Sequence, residues 1–248
     1  SQKMCGFPHF KYVEFEGEFP IAALNFKDDK FPAEVKMTAF NPFIPCDSKN
    51  SSIPAAFFEI EVNNISDETL KYQIAFSAAN PYQVSLNKSE TKNGYHLLTF
   101  ENASDDKNSL EYGDLTIATD CENTYIQEYW YRGGWQDSIV TFWNDFNNTE
   151  NLKERTYSSC GRLDTGTVAA EIEVPQRKSK KVRFVLSWNV PNNYNYWDKD
   201  IDENKCRNQW KNYCIRCLLN FTKRRIAMLL LGIIMQFLRW NQLNLEIL

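Results

Sequence analysis

The sequence predicts an all-β fold, a two-sheet antiparallel β-sandwich, followed by a short helical or disordered carboxy-terminal tail. Three observations carry that expectation. Apolar and polar residues alternate over segment after segment, the period-two signature of strands buried on one face. Clusters of Asn, Asp, Gly, Pro and Ser punctuate these segments, and no convincing helical period stands between them before Asp200. The chain has 248 residues, 43% apolar and 15% aromatic, ample for the core of one large all-β domain.

Lys11 to Glu16 alternates as a first strand, and Gly17 breaks it. Ile21 to Phe26 is a short apolar strand that turns through Lys27-Asp28-Asp29-Lys30. In the next strand Val35, Met37 and Ala39 share one face, with Glu34, Lys36 and Thr38 on the other. Asn41-Pro42-Phe43-Ile44-Pro45 lacks two backbone donors, so it is expected to carry the chain from one sheet to the other. Beyond Pro54, Phe58, Ile60 and Val62 alternate with Phe57, Glu59 and Glu61. The polar Asn63–Glu68 turn leads to a long strand with Leu70, Tyr72, Ile74, Phe76 and Ala78 on one face, and the two strands are expected to form a hairpin.

Asn93-Gly94 marks a turn into Tyr95 to Glu101, and the acidic, Asn-rich run to Ser109 is a loop. Gly113-Asp114 then opens the strand Leu115 to Thr119. From Tyr125 to Phe146 the alternation blurs, and Asn147 to Ser159 reads as loop. Val168, Ala170, Ile172 and Val174 face one way on a further strand. After a basic turn, Val182, Phe184, Leu186 and Trp188 do the same, and the pair is expected to be a hairpin closing the sandwich. The total is roughly ten to twelve strands, the number expected of two stacked sheets.

Composition divides the chain into a sandwich over 1–200 and a linker or tail over 201–248. No acidic residue stands between Glu203 and Glu246, and Ile226 to Leu238 is a thirteen-residue apolar run. A membrane span needs about twenty such residues. The run is therefore expected to be a buried or interfacial helix, apart from the sandwich.

The segments FEGEFPIAALNF, PAEVKMTAFNPFIP and SSIPAAFFEIEVNN resemble the start of the amino-terminal domain of glycoside hydrolase family 116. That is the family of the non-lysosomal glucosylceramidase, or bile-acid β-glucosidase, and of related microbial β-glucosidases. YGDLTIAT, WNDF and VPQRKSKKVRFVLSWNVP resemble later parts of the same domain, and Trp210-Lys211-Asn212-Tyr213 resembles the start of the family's linker. The resemblance ends after about residue 214, where a shift of reading frame would account for the change in composition. It implies a parent that hydrolyses β-glucosides or a glucosylated lipid with retention of configuration. It also implies that nucleophile and acid/base lie on a downstream (α/α)6 barrel. This chain is expected to lack that barrel, to carry no catalytic residue, to be inactive alone, and to have the barrel as its partner.

Read without the family, the residues offer little chemistry. A net charge of -4 gives no sign of a nucleic-acid partner. Seven cysteines at irregular spacing make a poor disulfide framework. With no basic and apolar leader in SQKMCGFPHF, free thiols in the cytoplasm are expected. The Asn-X-Ser/Thr sequons at Asn50, Asn64, Asn87, Asn102, Asn147 and Asn220 arise readily by chance in so Asn-rich a chain. His9 and His96 sit in no catalytic motif, and Cys214-Ile215-Arg216-Cys217 lacks the second pair that zinc requires, so no metal or cofactor is expected.

One cluster could bear function. Trp130, Tyr131, Trp135 and Trp143 surround Gly133-Gly134. Flat aromatic faces stack on sugar rings, but they also fill cores and interfaces. The four are therefore candidates for carbohydrate contact or for an interdomain surface. The rival to a barrel-supporting domain is a free-standing carbohydrate-binding module using Trp130 to Trp143. A third reading is a membrane-tethered adaptor using the tail.

Overall fold

The computed structural model describes residues 7–104, 106–109, 112–135, 137–147 and 152–192, together with the backbone of 234–240. Twelve strands are β1 (Tyr12–Glu18), β2 (Ile21–Lys27), β3 (Ala33–Phe40), β4 (Ala55–Asn64), β5 (Leu70–Ala79), β6 (Ser85–Lys92), β7 (Tyr95–Asn102), β8 (Asp114–Thr119), β9 (Thr124–Gln127), β10 (Thr165–Val174), β11 (Ser179–Asn189) and β12 (Ile234–Trp240). They form an eight-stranded sheet in the order β1-β2-β3-β4-β11-β8-β7-β6 and a four-stranded sheet in the order β12-β5-β10-β9. The strand pairings are antiparallel throughout.

The alternation read from the sequence sets the register. Val35 and Met37 of β3, Phe58, Ile60 and Val62 of β4, and Val182, Phe184 and Leu186 of β11 enter one core. They meet Leu70, Tyr72, Ile74 and Phe76 of β5 and Val168, Ala170, Ile172 and Val174 of β10 from the smaller sheet. Lys181 and Arg183 stay exposed. A shift of one residue would turn every one of these side chains to the opposite face.

Connectivity differs from the expected one at three places. The proline segment does not pass between sheets: β3 and β4 are neighbours in the larger sheet, Ala33 opposite Asn64 and Phe40 opposite Phe57. Asn41 holds this long loop closed, its amide donating to the carbonyls of Ile53 and Ala55. The β4–β5 connection, expected as a hairpin, instead carries the chain from the larger sheet to the smaller. So does the basic turn between β10 and β11, in the reverse direction.

The two arches are stapled together by Asn64, which is 1% exposed. Its amide donates to the carbonyls of Glu68, at 2.8 Å, and Val174, at 3.0 Å, one from each arch. Its backbone N–H donates to Lys178 O in the second arch. Alternation along two strands is the same whether they pair or face one another across a core, which is why the sequence did not separate the cases. Asn64 and Asn87 are both buried, so neither sequon offers a glycan acceptor in the folded chain.

A helix, α1 (Asp137–Asn147), lies where no helix was expected. Its Ile139, Phe142 and Phe146 pack on Ala75 of β5 and Ala169 of β10, on the outer side of the smaller sheet. The spacing Ile139, Phe142, Trp143, Phe146 is helical, and it is this change of period that blurs the alternation.

The tail departs from expectation as well. Of the run 226–238, residues 226–233 lie outside the described residues, while from Ile234 the chain is strand. β12 pairs antiparallel with β5, with a register shift between Phe237 and Arg239. The physical reason is the edge of the smaller sheet. The outer side of β5 presents unpaired N–H and C=O groups, and an apolar, charge-poor segment satisfies them by adding a strand.

Candidate functional site

The structure divides the four aromatic candidates. Trp130 is 6% exposed and belongs to the core beneath α1. Its indole stacks on Phe142 at a centroid distance of 4.2 Å and an interplanar angle of 14°. The indole N–H donates to Thr167 Oγ1 at 2.8 Å, and that hydroxyl shares a second hydrogen bond with Ser77 at 2.7 Å. These small β5 and β10 residues leave room for the ring, and their hydroxyls satisfy its single donor. Trp143 packs against Phe7 at 5.0 Å and is half-buried. Trp130 is thus enclosed by packing, whereas Trp143 keeps part of its surface exposed.

Trp135 and Tyr131 are different. Trp135 is fully exposed and adopts a left-handed backbone, φ 48°, in the loop before α1. A bulky residue in that region is uncommon and costs on the order of 1–3 kcal/mol. Tyr131 is 46% exposed. The two glycines between them are not equivalent. A Cβ on Gly133 would meet the Tyr131 ring at 2.7 Å, whereas one on Gly134 would meet nothing within 4 Å. Gly133 therefore serves the local packing, and only at Gly134 is the backbone open to an approaching molecule.

Behind this loop lies a latch that the sequence did not single out. Arg132 donates Nε and Nη2 to the two carboxylate oxygens of Asp164, each at 2.8 Å, and Nη1 to Ser159 O at 2.8 Å. Its guanidinium lies 4.1 Å from the Tyr157 ring centroid and 5.4 Å from that of Tyr129. The Asp164 hydrogen bond raises the guanidinium further above its ordinary value. Asp164, the one charged residue fully buried among the described residues, also accepts from Ser85 Oγ at 2.5 Å. Both its oxygens are engaged by the bidentate arginine, which commits the carboxylate to a structural pair. Gly161 permits the arrangement, since a Cβ there would stand 2.1 Å from Asp164 Oδ2. No local motif marks the pair, because its members are thirty-two residues apart.

A second anchor joins α1 to the sheet. Asp145 receives Arg155 at 2.5 Å and the Gln127 amide at 3.2 Å. Burial pushes the Tyr129 phenol up, although the backbone N–H of Asn87 opposes the shift. Among the described residues no group of three or more His, Cys, Asp or Glu side chains could hold a metal ion. Cys46, Cys121 and Cys160 are free. No helix among the described residues is long and apolar enough to cross a membrane.

The family model described as "beta-glucosidase 2, glycosyl-hydrolase family 116 N-term" matches residues 2–218. No curated protein matches the chain. A solved structure named as a kojibiose phosphorylase from human microbiome aligns over 84% of this chain and 22% of its own, at 14% identity and a TM-score of 0.34. The chain thus spans less than a quarter of that structure's length.

Proposed function

From the chain's membership of glycoside hydrolase family 116, to which it belongs through the amino-terminal domain of that family, we propose that it is the non-catalytic sandwich half of a β-glucosidase or glucosylceramidase-type enzyme, packing against and supporting a catalytic (α/α)6 barrel. The observation that carries this reading is the extent of the family match, which takes in every strand from β1 to β11. The site chemistry agrees with it. Retaining glycoside hydrolysis needs two carboxyl groups about 5 Å apart, one able to give up a proton. The buried carboxylate of Asp164 is committed to Arg132 instead.

The test is hydrolysis of an aryl β-glucoside. The chain alone is expected to give no turnover above background, and a separately expressed family barrel is expected to gain turnover or stability when the chain is added. Hydrolysis by the chain alone, abolished by changing one of its own Asp or Glu residues, would overturn the reading.

A second reading rests on Trp135. A fully exposed indole held in a left-handed backbone beside an exposed tyrosine suits stacking on a sugar ring. In that case the chain alone binds a soluble β-glucan, and Trp135→Ala or Tyr131→Ala abolishes binding. Trp130 takes no part, because packing buries it.

A further inference from the structure

The two outer faces of the sandwich are built differently. On the smaller sheet, Ala75 and Ala169 face outward and α1 lies on them. The larger sheet has an unbroken apolar row across its outer face. Ile21 stands opposite Phe40, and Phe40 opposite Phe57. Phe57 stands opposite Val185, Val185 opposite Ala118, and Ala118 opposite Leu97. The row thus crosses six strands in register. Five strand spacings of about 4.8 Å make it roughly 24 Å long, the length of an α-helix of about sixteen residues. An antiparallel sheet with a wet outer face carries polar side chains at such positions.

The surroundings narrow what can cover it. The row ends in a carboxylate on each edge strand, Glu18 of β1 opposite Ile21 and Glu90 of β6 opposite Leu97. Beside it, Glu59 is already paired with Lys181 at 2.7 Å and Arg183 at 3.4 Å, so this flank is neutralised from within. An apolar centre with a self-paired polar rim suits a protein surface rather than a polyanion or a glycan. The two terminal glutamates call for basic groups about 34 Å apart on the partner, seven spacings of about 4.8 Å. The apolar surface continues past Ile21 into Phe19 and Phe43, 79% and 50% exposed, whose rings meet at 5.0 Å. The chain leaves β11 at Asn189, only four residues past Val185, and the family match continues from there to residue 218. The continuation of the matched segment thus starts from the end of β11, a central strand of this sheet.

We propose that this row is the docking surface for the catalytic domain of the full enzyme, which seats on it an apolar ridge with basic groups at both ends. The proposal rests on the barrel-supporting function inferred above and adds which face does the work.

The experiment is co-elution and calorimetric titration of the full chain with a separately expressed catalytic domain of a family 116 enzyme. Val185→Lys and Leu97→Lys strike the middle and far end of the row. Ile21→Lys, at a position 49% exposed, serves where the others disturb folding. Each variant that keeps the parent melting temperature is expected to lose at least tenfold in affinity. Glu18→Gln with Glu90→Gln is expected to weaken binding severalfold and to flatten its salt dependence. Unchanged affinity in folded row variants would overturn the proposed face while leaving the barrel-supporting function in place. Failure of the parent chain to bind at all would overturn both. Dimerisation of the chain, abolished by Val185→Lys, would assign the row to a second copy and refute the proposal.

Discussion

Asn64→Ala tests how the two sheets are joined. The substitution removes the amide donor from Glu68 O at 2.8 Å, Val174 O at 3.0 Å and Pro175 O at 3.3 Å, and the acceptor from the Ser66 N–H and hydroxyl at 2.9 and 2.7 Å. Ser66 and Glu68 lie near solvent and can turn to water, so their loss is small. Val174 is 0% exposed, so water does not replace the donor that its carbonyl loses. Removing one partner of a buried hydrogen bond costs about 1–3 kcal/mol. The expected loss is about 1–3 kcal/mol, or roughly 2–12 °C in melting temperature for a domain of this size. Asn64→Asp sharpens the test. It keeps the shape but turns a second oxygen toward two carbonyls, so it should be worse than alanine. Differential scanning calorimetry against Asn50→Ala, a change in an exposed turn, gives the comparison. If Asn64→Ala melts with that control, or Asn64→Asp melts above Asn64→Ala, Asn64 does not staple the arches.

Other outcomes follow from particular contacts. Trp130→Ala should cost about 3–5 kcal/mol through its cavity, while Trp135→Ala should stay within about 0.5 kcal/mol of the parent, both read from urea unfolding. Arg132→Ala leaves the Asp164 carboxylate buried and unpaired, so a loss of about 3–5 kcal/mol is expected, and Asp164→Asn in the same background should recover part of it. Burial raises the Tyr72 phenol to about 12 from 10.0. The unfolded chain therefore ionises first, and stability falls as pH rises from 10.0 toward 12; Tyr72→Phe should flatten that alkaline limb of the melting profile. The Lys181 hydrogen bond holds the Glu59 carboxyl below its usual 4.5. Its contribution is present at neutral pH and is lost as pH falls from 4.5, so Lys181→Met should make the acid limb shallower.

Strand identity was legible because alternation is local. Val35 and Met37, Ile60 and Val62, or Phe184 and Leu186 need only their own neighbours in sequence to declare a face. The family was legible for a similar reason, in contiguous segments such as VPQRKSKKVRFVLSWNVP. Topology was not local. Nothing in Asn63–Glu68 or in the basic turn says whether the flanking strands pair or stack, since the deciding contact is Asn64 with a carbonyl 110 residues away. The helix is legible in principle from Ile139, Phe142, Trp143 and Phe146, but so dense an aromatic run suits core, interface or ligand platform alike and masks the period. The strand at Ile234–Trp240 was hidden because an apolar run fits helix or strand alike, and its partner on β5 decides.

Side-chain size explains the difference between the two outer faces. On β5 and β10 the outward residues Ala75, Ser77, Thr167 and Ala169 are small, and each is at most 2% exposed. A helix can approach such a surface closely, and Phe142 and Trp130 fill the space that the small residues leave. On the larger sheet the corresponding positions hold Phe40, Phe57 and Leu97, side chains too large for a close helix and too apolar for water. Phe40 and Phe57 stack on one another at 5.4 Å, which shields part of each ring and leaves a flat ledge. A ledge of that kind gains little as a core, because its rings already touch their neighbours. It gains much when a second surface removes the remaining area from water, at about 25 cal/mol for each Å². Replacing Phe40 and Phe57 together by threonine separates these cases. In the free chain the change should cost little stability, because the stack lies outside the sandwich core. In a complex with the catalytic domain it should cost affinity well beyond that. Equal losses in both settings would show that the row only completes the sheet.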